Sequence, residues 1–439
     1  MLFRSPWRGL SAKCFRIFGE QLTIKAPRLF LVCSRPHRDS PSRLHTLKEP
    51  LLDIQQRHSW GLAFGLCLIT LAVNLQAPLY TTYAQLSGYG AGATAVAFSG
   101  YVLGVLPVLL AFGGLADRVG RKPLIVTALC LSMLATLITV IWPNLIALGV
   151  ARLMMGIGTG LASATSTAYM VELMPTCDAR SPANRVTAST SLGFGLGAAL
   201  TSLFLFLHHS VTPGSFWLQL ALAALAIIVV ARLPDPAPRI KHAAMLRLPL
   251  FPAGSLPYSF SMLLAWATSG LVIAILPSVL AAHDLQRWSG LSTFTVISCG
   301  LIFQPWVKRM QPARATGLGL LVLPLSYALL AWGASQGSLA AVLLGALGAS
   351  SACYGFLYLG GLSAITAMAG AQKARVSAGF FLFAYVGFSI PVVVTGWLVD
   401  RFGADVALAV FGLALLAGAT ITGLRIVRTE AFVAQPSPS

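Results

Sequence analysis

Residues 59–123 read SWGLAFGLCLITLAVNLQAPLYTTYAQLSGYGAGATAVAFSGYVLGVLPVLLAFGGLADRVGRKP. The stretch falls into two unequal parts. Ser59 to Ala116 holds no Asp, Glu, Lys or Arg in 58 residues, whereas Asp117 to Pro123 holds four charges in seven. Such an apolar run has room for two membrane-crossing helices of ~20 residues joined by a turn. The charged segment then reads as the loop leading to a third.

The same alternation runs outward along the chain. Residues 123–171 carry one charge, Arg152, and hold two spans; residues 186–231 carry none and hold two. Residues 248–283 and 288–307 hold one each, 315–372 hold two, and 376–399 and 406–424 hold one each. The total is twelve. These are continuous apolar runs, not the alternating ~10-residue segments of a membrane barrel, and helices satisfy every backbone group internally, as lipid demands. Composition agrees: 56% of the 439 residues are hydrophobic and 10% are charged, against ~25% charged in an ordinary soluble domain. Mean hydropathy is +0.79. The expected class is an all-α polytopic membrane protein.

Basic residues set the expected orientation. With the N-terminus inside, 27 of the 30 Lys and Arg fall on the inner side; Arg287 and Arg401 fall outside and Arg152 within a span. That places both termini in the cytoplasm and the protein in the cell (inner) membrane. It also accounts for the net charge of +18 without a nucleic-acid partner. Residues 1–58, with eleven basic residues, read as a disordered cytoplasmic tail, as sequence preceding the true start, or as a segment lying on anionic lipid. They show no signal-peptide pattern. Residues 59–231 are expected to form one six-helix bundle and 251–428 a second. Residues 232–250 form a proline-rich inner linker, and 429–439 a short tail.

Three weak internal matches support duplication of a six-span unit. Pro78 corresponds to Pro277, Phe112–Arg118 to Phe303–Arg309, and Leu192–Leu196 to Val386–Ile390, at offsets of 191–199 residues.

Between spans 2 and 3 the loop reads Gly113-Gly114-Leu115-Ala116-Asp117-Arg118-Val119-Gly120-Arg121-Lys122-Pro123. It resembles the GxLaDRxGRK signature of the major facilitator superfamily, at the position where that family carries it. The resemblance covers residues ~60–428 and implies twelve helices in two six-helix bundles working by alternating access. The residues have readable chemistry beside it. Gly113 permits close helix approach, Gly120 a tight turn, and Asp117 can face a helix N-terminus or a cation. Arg118 and Arg121 offer forked donors. Glu172, 20 residues after Arg152 and therefore ~30 Å further along span 4, is their expected partner. The resemblance implies that this cluster locks the halves on the inner side. In the second copy Lys308 replaces the Asp and Gln304 the first Gly, so closure is expected to be asymmetric.

Within the membrane, Arg152 must face a cavity or a partner. With Gly156, Gly158 and Gly160 it resembles the family's RxxxGxGxG pattern, which implies a role in substrate binding or proton transfer. Asn74, Gln76 and Tyr80 lie around Pro78 in span 1; Asn74 is expected to face a cavity as the nearest partner of Arg152, and Gln76 to join it in binding solute. Tyr354 and Tyr358, one turn apart in span 10, complete the candidate binding set. Gly193, Gly195 and Gly197 lie where antiporters of the family carry a Gly-Pro motif, but here suffice as packing residues.

The expected function is secondary active or facilitative transport of a small solute, with efflux one possible direction. A lone Arg with no acid at mid-membrane depth slightly favours an anionic or carboxylated substrate. The alternatives are a transporter-like sensor and a proton-coupled multidrug antiporter. An enzyme is not expected: HExxH is absent. The cysteines are scattered and show no CxxC pair, so neither a metal nor a cofactor is expected. Expected partners are the solute, the lipid bilayer and, if transport is proton-coupled, protons; the chain is expected to be a monomer.

Overall fold

The computed structural model describes residues 41–112, 114–175, 180–235 and 248–433. Gly113, most of the linker and the extreme N- and C-terminal segments lie outside them. Every described element is helical, and twelve helices are long and apolar enough to cross a membrane. The twelve expected spans are all present. They are span 1 (Ile54–Leu86), span 2 (Ala91–Ala111), span 3 (Arg121–Ile141), span 4 (Leu145–Leu173), span 5 (Ser181–Leu207) and span 6 (Gly214–Ala231). The second set comprises span 7 (Leu256–Ala281), span 8 (Gln286–Val307), span 9 (Pro312–Ser335), span 10 (Leu339–Met368), span 11 (Gly370–Phe402) and span 12 (Ala404–Arg428).

The first helix does not start at residue 59, where the apolar run begins. It extends over Pro41–Leu75. Charge ends a membrane-embedded stretch but not a helix, and Lys, Glu, Gln and Leu are good helix formers.

Span ends follow local chemistry. Gly120 has φ 104° and Gly403 φ 86°, conformations that a side chain resists, and they turn the chain into spans 3 and 12. Asn144 caps span 4, its Oδ1 accepting from the Ala147 N–H at 2.8 Å.

The internal repeat is visible in the helix breaks. Pro78 sits in a 3₁₀ turn, Ala77–Leu79, that interrupts span 1. Pro277 lies just after the interruption of span 7 between Ala274 and Leu276. Both prolines lack the N–H that would continue the ladder. The loop copies also match, each carrying a short helix, Leu115–Val119 in one and Gln304–Val307 in the other. Burial pairs up as well: spans 1 and 7 are the most enclosed, spans 6 and 12 the least. Leu103, Ile146 and Leu207 are among the side chains exposed on the outer surface of the helix assembly, as a lipid-facing surface requires.

Glycines set the close contacts. Gly156 and Gly160 of span 4 lie against Tyr101 and Val108 of span 2, and Gly158 against Ala128 of span 3. Gly193 and Gly197 lie against Cys67 and Leu71 of span 1, as Gly387 lies against Leu263 of span 7 in the other half. The span-5 glycines are thus packing residues. Gly156→Leu should cost about 3 kcal/mol by overpacking, because its Cβ would overlap the Tyr101 carbonyl. Size-exclusion chromatography should show loss of the monodisperse peak, while Gly317→Ala, whose Cβ meets nothing within 4 Å, should leave it unchanged.

Candidate functional site

The first six spans meet the last six along two seams, span 2 with span 11 and span 5 with span 8. Enclosed between them is a small cavity of about 50 Å³. Val73 and Asn74 of span 1, Tyr101 of span 2 and Phe194 of span 5 line one side. Trp266 and Ile273 of span 7, Ile297 of span 8, Tyr354 of span 10 and Phe388 of span 11 line the other. Both halves contribute, and no charged side chain is among the lining.

Asn74 is the expected residue that reaches this cavity most directly. It follows Val73 in the last turn before the span-1 break, where a helix leaves carbonyls without intrahelical donors. Its Nδ2 donates to the Phe194 carbonyl at 2.9 Å. Its Oδ1 is buried and has no hydrogen-bond partner. Tyr354 lines the cavity from a π-helical segment, Ser351–Leu357. Such wide turns are rare and frequently mark functional sites.

Three expectations come out differently. Gln76 faces span 3, donating to Thr139 Oγ1 at 3.2 Å, and so does not line the cavity. Tyr358 packs against the Phe381 ring at 6.3 Å, below the cavity lining. Arg152 is fully buried but does not pair with Asn74. Its Nη1 donates to the Val73 carbonyl at 2.5 Å and its Nε to the Phe98 carbonyl at 3.4 Å. Nη2 has no hydrogen bond. The guanidinium lies 4.7 Å from the Phe98 ring centre, 5.0 Å from Tyr101 and 6.0 Å from Tyr80, within cation–π range. The cation thus supports the break in span 1 from behind an aromatic wall.

That wall joins the halves. Phe98 packs on Phe388 at 4.7 Å, Trp266 on Phe388 at 5.5 Å, and Trp266 on Tyr385 at 5.1 Å. Sequence reasoning missed Tyr101, Phe194, Trp266 and Phe388. Aromatic residues are common throughout membrane helices, so their type is a weak signal. Trp266 was the exception, because tryptophan favours the interface and this one is mid-span.

Contacts near the two ends differ. At the end opposite the charged loop, both Asp400 carboxylate oxygens accept from span 2, from the Ala91 and Gly92 N–H groups at 2.8 Å each. An anion on a helix N-terminus is the favourable arrangement. Gln286 donates to the Pro78 carbonyl and to Thr82 Oγ1, both at 3.3 Å. At the charged end, a 220 Å³ gap separates Leu106 and Leu110 of span 2 from Ser377 and Phe381 of span 11.

Arg121 is the residue of the charged loop about which its ion pairs gather. Arg121 pairs with Glu172 at 2.7 Å and with Asp117 at 3.6 Å. Asp235 adds a further contact, accepting from the Arg121 backbone N–H at 3.3 Å. Gly120 supplies the turn that lets this carboxylate approach, since a Cβ there would meet Asp235. These partners of Arg121 lie in the first half and the start of the linker. The degenerate copy instead reaches across the halves, Lys308 Nζ donating to Asn184 Oδ1 at 3.2 Å. Gln304 donates to the Tyr354 carbonyl at 3.3 Å.

The profile of the Major Facilitator Superfamily matches residues 62–303, more than half the chain. The chain belongs to that superfamily. That superfamily is one of membrane transporters of small solutes, not of enzymes, and the twelve candidate spans among the described residues suit a multi-pass membrane protein. Among its superfamily relatives is a triacylglyceride transporter of Mycobacteroides abscessus, 25% identical over 361 residues, 77% of this chain and 62% of the relative. A 3-(3-hydroxy-phenyl)propionate transporter of Escherichia coli K12 is 35% identical over 155 residues, 32% of this chain and 35% of that one. The chain therefore spans less than two thirds of the length of these relatives. In fold, this superfamily member is similar to the nucleoside transporter NupG, with TM-score 0.65 and 14% identity over 85% of this chain and 98% of that one. The human organic anion transporter MFSD10 matches with TM-score 0.54, 18% identity, and 84% and 99% coverage.

Proposed function

We propose that this protein carries a small solute by alternating access through the cavity between its halves. Residues 59–231 and 251–428 act as the two moving bodies, with 232–250 as the connection. The observation that supports this most directly is the cavity itself: both halves line it. Positive-inside bias makes the charged-loop end cytoplasmic, with both termini on that side. Binding residues are Asn74 and Tyr354; Arg152 is a support behind them.

The preference for an anionic solute rested on Arg152 reaching the path. Behind the Phe98 and Tyr101 rings it does not reach it in this conformer. The aromatic lining is in keeping with a relative named for a phenylpropionate, and the chemical class is argued below. Counterflow of labelled solute in proteoliposomes tests transport itself, since a sensor that only binds gives none.

Asp117, Arg118, Gly120, Arg121 and Glu172 form the proposed inner gate, with Asp235 added; Gly113 of the same motif lies outside the described residues. Glu172→Gln removes a partly buried partner of Arg121. At about 1 kcal/mol for such a pair, flux should change by about fivefold with folding intact. Asp117, further away and more exposed, should give a smaller slowing as Asp117→Asn. Wild-type flux in both variants would reduce the loop to a topological anchor.

A further inference from the structure

The cavity lining carries a chemical preference that can be read atom by atom. Five aromatic rings face it and no ionised group does. The Tyr101 hydroxyl lies beside Thr159 and Tyr385, and the Tyr354 hydroxyl beside Ser269. Two further polar atoms belong to the lining. Asn74 Oδ1 is an acceptor, Trp266 Nε1 is a donor, and both are buried without a hydrogen bond. Asn74 is 2% exposed, and its orientation is set because Nδ2 is held on the Phe194 carbonyl. Its oxygen therefore cannot rotate away to find another donor without breaking that bond. Buried polar groups of folded proteins are rarely left unpaired. A pair of them, one donor and one acceptor, on opposite halves of one aromatic cavity is what a bound molecule would satisfy.

The charge of that molecule follows from the same lining. An anion in an aromatic box meets the negative ring faces. Its natural counter-ion, Arg152, is turned to the Val73 and Phe98 carbonyls instead. A cation would find ring faces but no carboxylate to neutralise it, since none lines the cavity. The 50 Å³ of this conformer is smaller than one aromatic ring, so the halves must part to admit a solute; a flat, uncharged ring then suits the walls, stacking on them and exchanging one hydrogen bond with each orphaned atom.

We infer that the solute is a compact, neutral, planar heterocycle or aromatic amide that donates to Asn74 Oδ1 and accepts from Trp266 Nε1. This rests on the carrier reading above and specifies its substrate class. Because the two groups sit on spans 1 and 7, one in each half, such a solute also bridges the bodies that must move together for occlusion.

The test uses the full chain in proteoliposomes, with labelled uracil and nicotinamide as neutral planar probes. Benzoate, N-methylpyridinium and glucose serve as the anionic, cationic and non-planar comparisons. At least one neutral planar probe should show counterflow and the comparison probes should not. Asn74→Leu and Trp266→Phe should each weaken equilibrium binding of that probe tenfold or more; Trp266→Phe keeps a ring and loses only the N–H donor. The double variant should be no worse than the sum of the two, with folding checked by size-exclusion chromatography. Failure of both neutral planar probes to bind or exchange overturns the class. Counterflow of benzoate or N-methylpyridinium in that case leaves the carrier reading standing, whereas a ligand that binds without counterflow defeats that reading. Unchanged affinity in Trp266→Phe, or in Asn74→Leu, removes the assigned hydrogen bond and with it the inference.

Discussion

Replacing Arg152 with Met should reduce flux more than tenfold while shifting the thermal midpoint little. Two opposing terms decide the stability side. Burying a guanidinium in a membrane helix costs about 2.5–3.5 kcal/mol on insertion scales, and here Nη2 gains no hydrogen bond in return. Removing it relieves that cost. The substitution also strands the Val73 carbonyl, at about 1–3 kcal/mol, and takes a second donor from the Phe98 carbonyl, which lies within the helix of span 2. Contributions of similar size and opposite sign leave a small difference. Function has no such offset. Val73 and Asn74 are consecutive in the turn before the Pro78 break, so loosening the first displaces the second. Arg152→Lys keeps the charge but not the forked donor, and should recover part of the flux. Thermal unfolding and counterflow on the same preparations check both halves of the expectation. Full flux in Arg152→Met would show that span 1 holds its broken turn without help.

Gly396→Leu is the second large expected effect. A Cβ at this position would lie 2.8 Å from the Ala91 carbonyl oxygen and 2.9 Å from Ala95 Cβ. Its neighbours are the backbone and a methyl group of span 2, neither of which can rotate aside. A leucine must therefore hold spans 2 and 11 apart at the end where Asp400 otherwise joins them. The protein should fold, because each half keeps its own core, but should be unable to close that end. Flux should fall more than tenfold. A membrane-impermeant thiol reagent applied from the exterior should label a cysteine placed at Thr94, which lines the space beside this seam, faster than in the parent. Asp400→Asn is the milder companion. It weakens two charge-assisted hydrogen bonds but adds no bulk, and solvent exposure of the group limits the loss. Retained flux in Gly396→Leu would mean that transport does not require this seam to close.

The contrast between these variants shows where sequence reading stops. The number of spans was legible. Charge-free runs of fixed length are a property of the chain itself, imposed by bilayer thickness and by the cost of charge in lipid. Asp117, Arg121 and Glu172 could be associated because helix rise converts residue separation into distance along one axis. Arg152 was legible as an anomaly, a lone cation in an apolar helix, but not in its role. Its partners proved to be two main-chain carbonyls, and every residue carries one of those, so no residue type announces them. Gln76 and Asn74 are two positions apart on span 1. Only helix rotation about the Pro78 break decides that one faces span 3 and the other the cavity.

From residue order alone came a polytopic helical membrane protein with twelve crossings and a charged loop between spans 2 and 3, because the bilayer constrains each helix one at a time. The tertiary structure alone decided which side chains from spans 1, 2, 5, 7, 8, 10 and 11 share one cavity. In lipid the stripe of a helix facing its neighbours is about as apolar as the stripe facing acyl chains. Periodicity therefore cannot point inward, and the facing of Trp266 or Phe388 is settled only when the helices pack.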